Sequence, residues 1–132
     1  MSEDVFDAIV VGAGLAGCVA ALVLAREGAQ VLLIERGNTA GGKNVTGGRM
    51  YAHSLERIIP GFAENAPVER VITREKLSFL TGTRAMTVDY QNGEAWAPGE
   101  VSWSVLRSKF DAWLMEQAEN AGAQCITGIR VD

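Results

Sequence analysis

One histidine, three prolines and two cysteines are all that 132 residues supply of these types. Cys18 and Cys125 form neither a CxxC pair nor a disulfide framework, which fits a reducing compartment. His53 has no serine or cysteine partner at recognisable spacing, so it reads as a surface residue and not as a catalytic base. The longest apolar stretch runs from Cys18 to Ala25, far short of the ~20 residues that a membrane helix needs. Met1-Ser2-Glu3-Asp4 lacks the positive leader of a signal peptide, so a cytoplasmic location is expected. Charge is also sparse: 12 basic against 16 acidic residues leave a formal net charge of −4. That balance offers neither an electrostatic footprint for nucleic acid nor a polybasic membrane patch.

Glycine, by contrast, is abundant. The chain has 15, about 11% against a typical ~7%. Nine lie in the first 48 residues and five of these between Gly37 and Gly48. Special backbone conformations are therefore concentrated in the N-terminal third. The length suits a single hydrophobic core.

Phe6 to Val11 is a branched apolar run stopped by Gly12, the pattern of a strand buried on both faces. Leu15 to Glu27 reads as a helix apolar almost all round, ended by Gly28 in a left-handed cap. Val31 to Glu35 is the next buried strand, which completes a βαβ unit over residues 1–37. Residues 38–67 read as a loop from Asn38 to Gly48, then a short helix from Ser54 to Ile59 with Ser54 as N-cap and Pro60-Gly61 as stop. Residues 68–106 offer strand-like pieces at Lys76 to Thr81, Ala85 to Tyr90 and Val101 to Leu106, most economically an antiparallel meander. Over 107–132, Ser108 with Asp111 makes a capping-box-like start to a helix that ends at Gly122. Cys125 to Val131 follows as a third parallel strand. The expected class is thus α/β, a Rossmann-like βαβ unit with a parallel sheet and an inserted antiparallel meander.

Gly12-Ala13-Gly14-Leu15-Ala16-Gly17 matches GxGxxG in the context the motif requires, after a strand and opening a helix. Gly12 permits the tight turn, Gly14 lets backbone approach a pyrophosphate, and Gly17 lets helix pack closely on strand. The helix N-terminus offers unpaired N–H groups to phosphates. Glu35, eighteen residues after Gly17, can accept both ribose hydroxyls of an adenosine and would repel a 2′-phosphate, which favours FAD or NAD over NADP.

Two further blocks accompany the motif: Gly42-Lys43-Asn44-Val45-Thr46-Gly47-Gly48-Arg49, and Leu106-Arg107-Ser108-Lys109-Phe110-Asp111-Ala112-Trp113-Leu114. With these the chain resembles the N-terminal part of FAD-dependent oxidoreductases of the glutathione-reductase-like fold. Within them it resembles the FixC-type flavoproteins, which belong with the electron-transfer-flavoprotein:quinone oxidoreductases. The resemblance implies FAD as cofactor, held by Gly12, Ala13, Gly14, Leu15, Ala16 and Gly17 at the pyrophosphate and by Glu35 at the ribose. Arg36 would border the adenine, and Val131 would lie beside it. Arg107 would reach the pyrophosphate or ribityl region, and the Gly41 to Gly48 loop would pass near the flavin with Lys43 and Asn44 as polar contacts. It further implies an electron-transfer flavoprotein as donor, a quinone or ferredoxin-like acceptor, and peripheral contact with the inner face of the membrane. Monooxygenases and prenyl reductases share the Gly12, Glu35 and Arg107 pattern and form the alternative, with a non-catalytic fragment as a third reading.

Flavoproteins of this fold are several times longer. The chain therefore reads as incomplete relative to the full family fold, with a sheet edge or face left uncovered. The residues also admit plainer roles. Lys43 and Arg49 read equally well as solvated loop charges. Arg107 reads also as the partner of Asp111 one turn on. Cys18 is a small buried residue or, less simply, a thiol activated by the helix dipole. Trp96, Trp103 and Trp113 read as core or sheet-face residues. No catalytic side chain and no metal ligand is expected, because a flavin carries its own redox chemistry.

Overall fold

A computed structural model describes residues 5–91 and 100–132. Its centre is a parallel three-stranded sheet of β1 (Ala8–Val11), β2 (Val31–Ile34) and β8 (Gln124–Ile126), in the order β1-β2-β8. Two helices, α1 (Leu15–Arg26) and α3 (Arg107–Asn120), pack on one face of the chain's core. Register explains which residues they cover. Val10, Leu33 and Cys125 stand opposite one another and join the core, whereas the alternate row of Val11, Ile34 and Ile126 points away.

Burial on both faces, expected for β1, is therefore not found. Ile9 and Val11 are 60% and 63% exposed, and the face they share is uncovered. The same holds for α1, read as apolar all round: Cys18, Ala21 and Leu22 are buried, but Val23 and Leu24 face outward. Apolar composition identified these elements, and the layers around them decide which side is covered.

The antiparallel part is present, but its strands divide between two sheets. β3 (Gly47–Tyr51) and β4 (Val68–Val71) flank β7 (Ser102–Leu106), while β5 (Arg74–Leu80) and β6 (Ala85–Gln91) form a separate hairpin. β3 falls where the glycine-rich loop was expected to continue. Gly47 fits there because a Cβ would lie 2.8 Å from the Val105 carbonyl oxygen across the pair. Polar, glycine-rich composition carries no period-2 signal, so β3 is recognisable only through its partner. The link between the second and third expected strand pieces, with Trp96, falls at residues 92–99, outside the described residues.

The helix boundaries shift in an instructive way. α2 spans Ala52–Ile58 with Tyr51 as N-cap, and α3 has Leu106 as N-cap; neither makes a side-chain cap bond. Ser54 and Ser108 are thus inside helices and not caps. In both cases a strand runs directly into the helix, so chain direction set by the sheet supplies the start. The third parallel strand ends at Ile126, not Val131, because the chain turns at Gly128 (φ +76°). Gly28 does end α1 with positive φ, at +88°.

The core joins Leu22, Val31, Leu33, Phe62, Phe110 and Leu114. Phe110 meets Phe62 edge-on at 6.4 Å and Trp113 at 5.4 Å. Closest of all is the approach of α1 to the end of β1, where a Cβ on Gly17 would fall 1.9 Å from the Gly12 carbonyl oxygen and 3.4 Å from Val10 Cγ1. The obstacle is backbone and cannot swing aside. Gly17→Ala should therefore lower unfolding free energy by about 3 kcal/mol, the upper range for overpacking. Gly14→Ala, with nothing within 4 Å of its Cβ, should change it by less than about 0.5 kcal/mol. Urea unfolding of the two variants checks this, and equal losses would refute it.

Candidate functional site

β1 ends at Gly12, whose φ of +100° turns the chain into α1. Its N–H donates to the Ile34 carbonyl at 2.7 Å, which holds this turn against the end of β2. The next residue along β2 is Glu35. Its carboxylate accepts from the Ala13 N–H (Oε2, 2.8 Å) and from the Gly37 N–H (Oε1, 2.6 Å). Those bonds hold the Glu35 carboxyl below its ordinary ionisation range, with Gly37 the larger cause. Burial opposes the shift, while Lys43 and Arg36 assist it. Glu35 is thus an ionised acceptor locked to the phosphate-type turn, with lone pairs left over for a ligand.

Two clefts meet at this carboxylate. One, of about 460 Å³, is lined by Gly12, Glu35, Arg36 and Val131 together with Ile129 and Arg130. Val131 reaches it without being in a strand, because Glu35 and Ile126 share one backbone bond and Ile129 N–H donates to Glu35 O at 3.1 Å. The second cleft, of about 150 Å³, is lined by Ala13, Gly14, Glu35, Gly41, Gly42, Lys43, Asn44 and Asp111. The structure thus gathers Gly12, Ala13, Gly14, Glu35, Arg36, Lys43, Asn44 and Val131 around one groove.

Other expected residues stand apart. Leu15 and Ala16 line a separate apolar cavity of about 310 Å³ with Val19, Met50, Leu55 and Phe110 and neither of the two clefts; their N–H groups belong to the first turn of α1, which helix geometry leaves without intrahelical partners. Gly17 is internal and acts through packing. Arg107 lines neither cleft; its Nε–H and Nη2–H donate to Asp111 at 2.8 and 2.9 Å. Of the Gly41 to Gly48 loop, only Gly41, Gly42, Lys43 and Asn44 reach the groove, since Gly47 and Gly48 belong to β3. Arg49 is no free loop charge: it donates to Ser102 Oγ at 2.9 Å, lies 4.4 Å over the Tyr51 ring and touches Glu75.

Asp111, read from sequence as part of a helix start and as the partner of Arg107, does make that pair and in addition lines the smaller cleft. Its spacing from Arg107 was the available signal, but its contact with Asn44 (3.0 Å) could not be read from sequence. Cys18 is buried, and burial with nearby Asp111 pushes its thiol up to about 12, which removes it as a nucleophile. His53 is exposed, as expected. Among the described residues no cluster of three or more His, Cys, Asp or Glu side chains could hold a metal.

An adenine dinucleotide fits this arrangement on three counts. Gly17 brings the helix start onto the strand end, the Gly14 Cβ direction is open, and Glu35 stands ionised where both clefts join. Comparison with known proteins agrees. Residues 7–131 match the family model for FAD dependent oxidoreductases. Over all 132 residues the chain is 79% identical to Protein FixC of Salmonella typhi and 64% identical to the probable electron transfer flavoprotein-quinone oxidoreductase YdiS of Escherichia coli K12. It spans 31% of the length of each. A myxobacterial FAD-dependent halogenase, CndH, superposes over 96% of this chain and 29% of its own, with a TM-score of 0.72 at 21% identity, a likeness of fold. The chain belongs to the FAD dependent oxidoreductase family, with FAD as its cofactor.

Proposed function

We propose that these residues form the ADP-binding half of the FAD site in an oxidoreductase that passes electrons from an electron-transfer flavoprotein to a quinone or ferredoxin-like acceptor. The observation that carries the site reading is the Glu35 carboxylate, ionised and fixed by two backbone amides at the junction of the clefts. Similarity to FixC and YdiS supports the electron-transfer direction. The monooxygenase and prenyl reductase alternatives rest on the shared Gly12, Glu35 and Arg107 pattern and on likeness of fold.

Bound FAD supplies the redox chemistry; the chain supplies position. Glu35 accepts from the ribose hydroxyls. The first turn of α1 presents N–H groups and its dipole to the phosphates. Ala13 spends its own N–H on Glu35, so Gly14, Leu15 and Ala16 are left to face the pyrophosphate. Lys43 adds positive charge on the far wall, and Arg36 with Val131 borders the adenine cleft.

The β5–β6 hairpin supports the peripheral membrane part of this reading. Cross-strand pairing puts Leu77 opposite Val88 and Phe79 opposite Met86 on one face, next to Tyr90. All five are 56–62% exposed. The other face carries Arg74 and Lys76 on Asp89 and the Ser78 and Thr87 hydroxyls bonded at 2.8 Å, with Leu80 opposite Ala85 at its turn end. No helix among the described residues is long and apolar enough to cross a membrane. Surface attachment at the cytoplasmic face is the arrangement such a hairpin suits, close to a quinone.

Glu35→Gln should weaken binding of ADP to this chain by about tenfold, the value of one charge-assisted bond. Because the carboxyl titrates below its ordinary 4.5, its contribution is full above that pH and is lost only as pH falls through the lowered value. Calorimetric titration across pH checks both; an unchanged affinity would count against the ribose role. The 132-residue chain alone should hold FAD weakly and show no turnover, and a purified sample with full flavin absorbance would refute that. Leu77→Glu with Phe79→Glu should abolish cosedimentation of the longer protein with phospholipid vesicles while flavin content stays constant; unaltered sedimentation would remove the hairpin from membrane contact. In that protein, oxygen-dependent hydroxylation of an aromatic substrate by the reduced flavin would overturn the electron-transfer reading.

A further inference from the structure

Asp111 is fully buried, yet it lines the smaller cleft. A carboxylate at the edge of a phosphate subsite is unfavourable unless something neutralises it. Two groups do so here. Arg107 forms a two-pronged pair with both oxygens, and Asn44 Nδ2–H donates to Oδ2 at 3.0 Å from across the loop.

Helix energetics alone does not account for this pair. Arg107 is the first residue of α3, where a cation meets the positive end of the helix dipole, and the acid-before-base order is the better one at this spacing. The arrangement is reversed and placed at the wrong end. Nor does Asp111 cap the helix, because α3 has no side-chain cap bond.

The loop is fitted to the same carboxylate. Gly41 has φ +69°, and a Cβ there would come 2.7 Å from both the Arg107 carbonyl oxygen and Asp111 Cβ. Gly42 N–H donates to Thr39 O at 3.1 Å and Asn44 N–H to Gly41 O at 2.8 Å, which folds the segment into tight turns against α3. Arg107 N–H closes the far side on Thr46 O at 3.3 Å. Of the five N–H donors of a guanidinium, Arg107 uses two on Asp111 and keeps the rest.

From this geometry we infer that Asp111 is a positioning residue of the phosphate subsite: its buried carboxylate holds Arg107 and Asn44 together, so that the Gly41–Asn44 wall is set before a dinucleotide phosphate arrives. The inference rests on the dinucleotide reading of the groove. It makes Asp111 act through Arg107 and Asn44, with no contact of its own to the ligand. Preset walls cost less ordering on binding, so removal should weaken phosphate recognition and leave adenosine recognition alone.

The test uses the whole chain with ADP and adenosine as probes, by calorimetry, together with amide hydrogen exchange. In Asp111→Asn the gain of ADP over adenosine should fall about tenfold, and exchange at the Gly42 and Asn44 amides should quicken by a similar factor. The Cys18 and Glu35 amides, bonded to Gly14 O and Ile126 O, should be unaffected. Should Asp111→Asn fail to fold, Asn44→Ala cuts only the loop side and should quicken the same two amides. A wild-type chain that binds ADP no better than adenosine sinks the dinucleotide reading itself. A wild-type preference that survives in Asp111→Asn, or equal loosening at all four amides, overturns only the role given to Asp111.

Discussion

Helix α1 can begin where it does only because two glycines let its first turn rest on the end of β1. The contact at Gly12 and Gly17 leaves no room for a single carbon atom, and it fixes both the direction of the helix and the position of its N-terminus over the sheet. Everything at the groove inherits that placement. Gly12 N–H on Ile34 O sets the turn level with the end of β2, so Glu35 arrives beside Ala13 N–H at bonding distance. A carboxylate in that position reads as part of the turn's own hydrogen bonding as much as part of a ligand site. Its two amide partners orient it without a ligand, which is preorganisation in the ordinary sense.

Sequence and structure agree most closely where the constraint is local. GxGxxG after an apolar run, with an acid at the end of the next strand, defines β1, α1, β2 and the groove because each part demands its own residue type over about thirty positions. Agreement weakens where the determinant is distant. β3 has the composition of a loop, Gly-Gly-Arg-Met-Tyr, and becomes a strand by pairing with Ser102–Leu106 more than fifty residues on. Ser54 and Ser108 carry the chemistry of N-caps, but the strands leading into α2 and α3 had already set their starts. Val131 lines the larger cleft, but the chain gets there through a turn at Gly128 and not along the expected strand.

Exposed apolar surface follows the same division between local and distant. Ile9, Val11, Val23 and Leu24 are apolar because their elements are made to be covered, and none of the described residues covers them. The relatives are about three times as long. The hairpin differs in kind. One face is largely satisfied by cross-strand ion pairs and hydroxyl contacts, apart from Leu80 at the turn end, while Leu77, Phe79, Met86, Val88 and Tyr90 make the other apolar across both strands, apart from Glu75 at its far end. An element with one finished face and one open face is shaped for a surface beyond itself, whereas β1 and α1 are shaped for a core.

The groove also shows how two acids can border a site for an anion. Glu35 and Asp111 both line the smaller cleft, and two free carboxylates there would repel a pyrophosphate strongly in a partly desolvated setting. Neither is free. Glu35 spends one lone pair of each oxygen on backbone amides, and Asp111 is matched by a full opposite charge in a planar, two-bond geometry that a lysine could not reproduce. With Asp111 and Arg107 cancelling, the local field on the phosphate side is set by Lys43, by the dipole of α1 and by the unspent N–H groups of the first turn. In the proposed reading Glu35 keeps its negative charge at the ribose end, where hydroxyl donors and not phosphate oxygens would meet it. The groove is thus polarised along its length, acceptor at one end and donors at the other, which is the pattern the proposed ADP moiety would require, although two carboxylates line the smaller cleft.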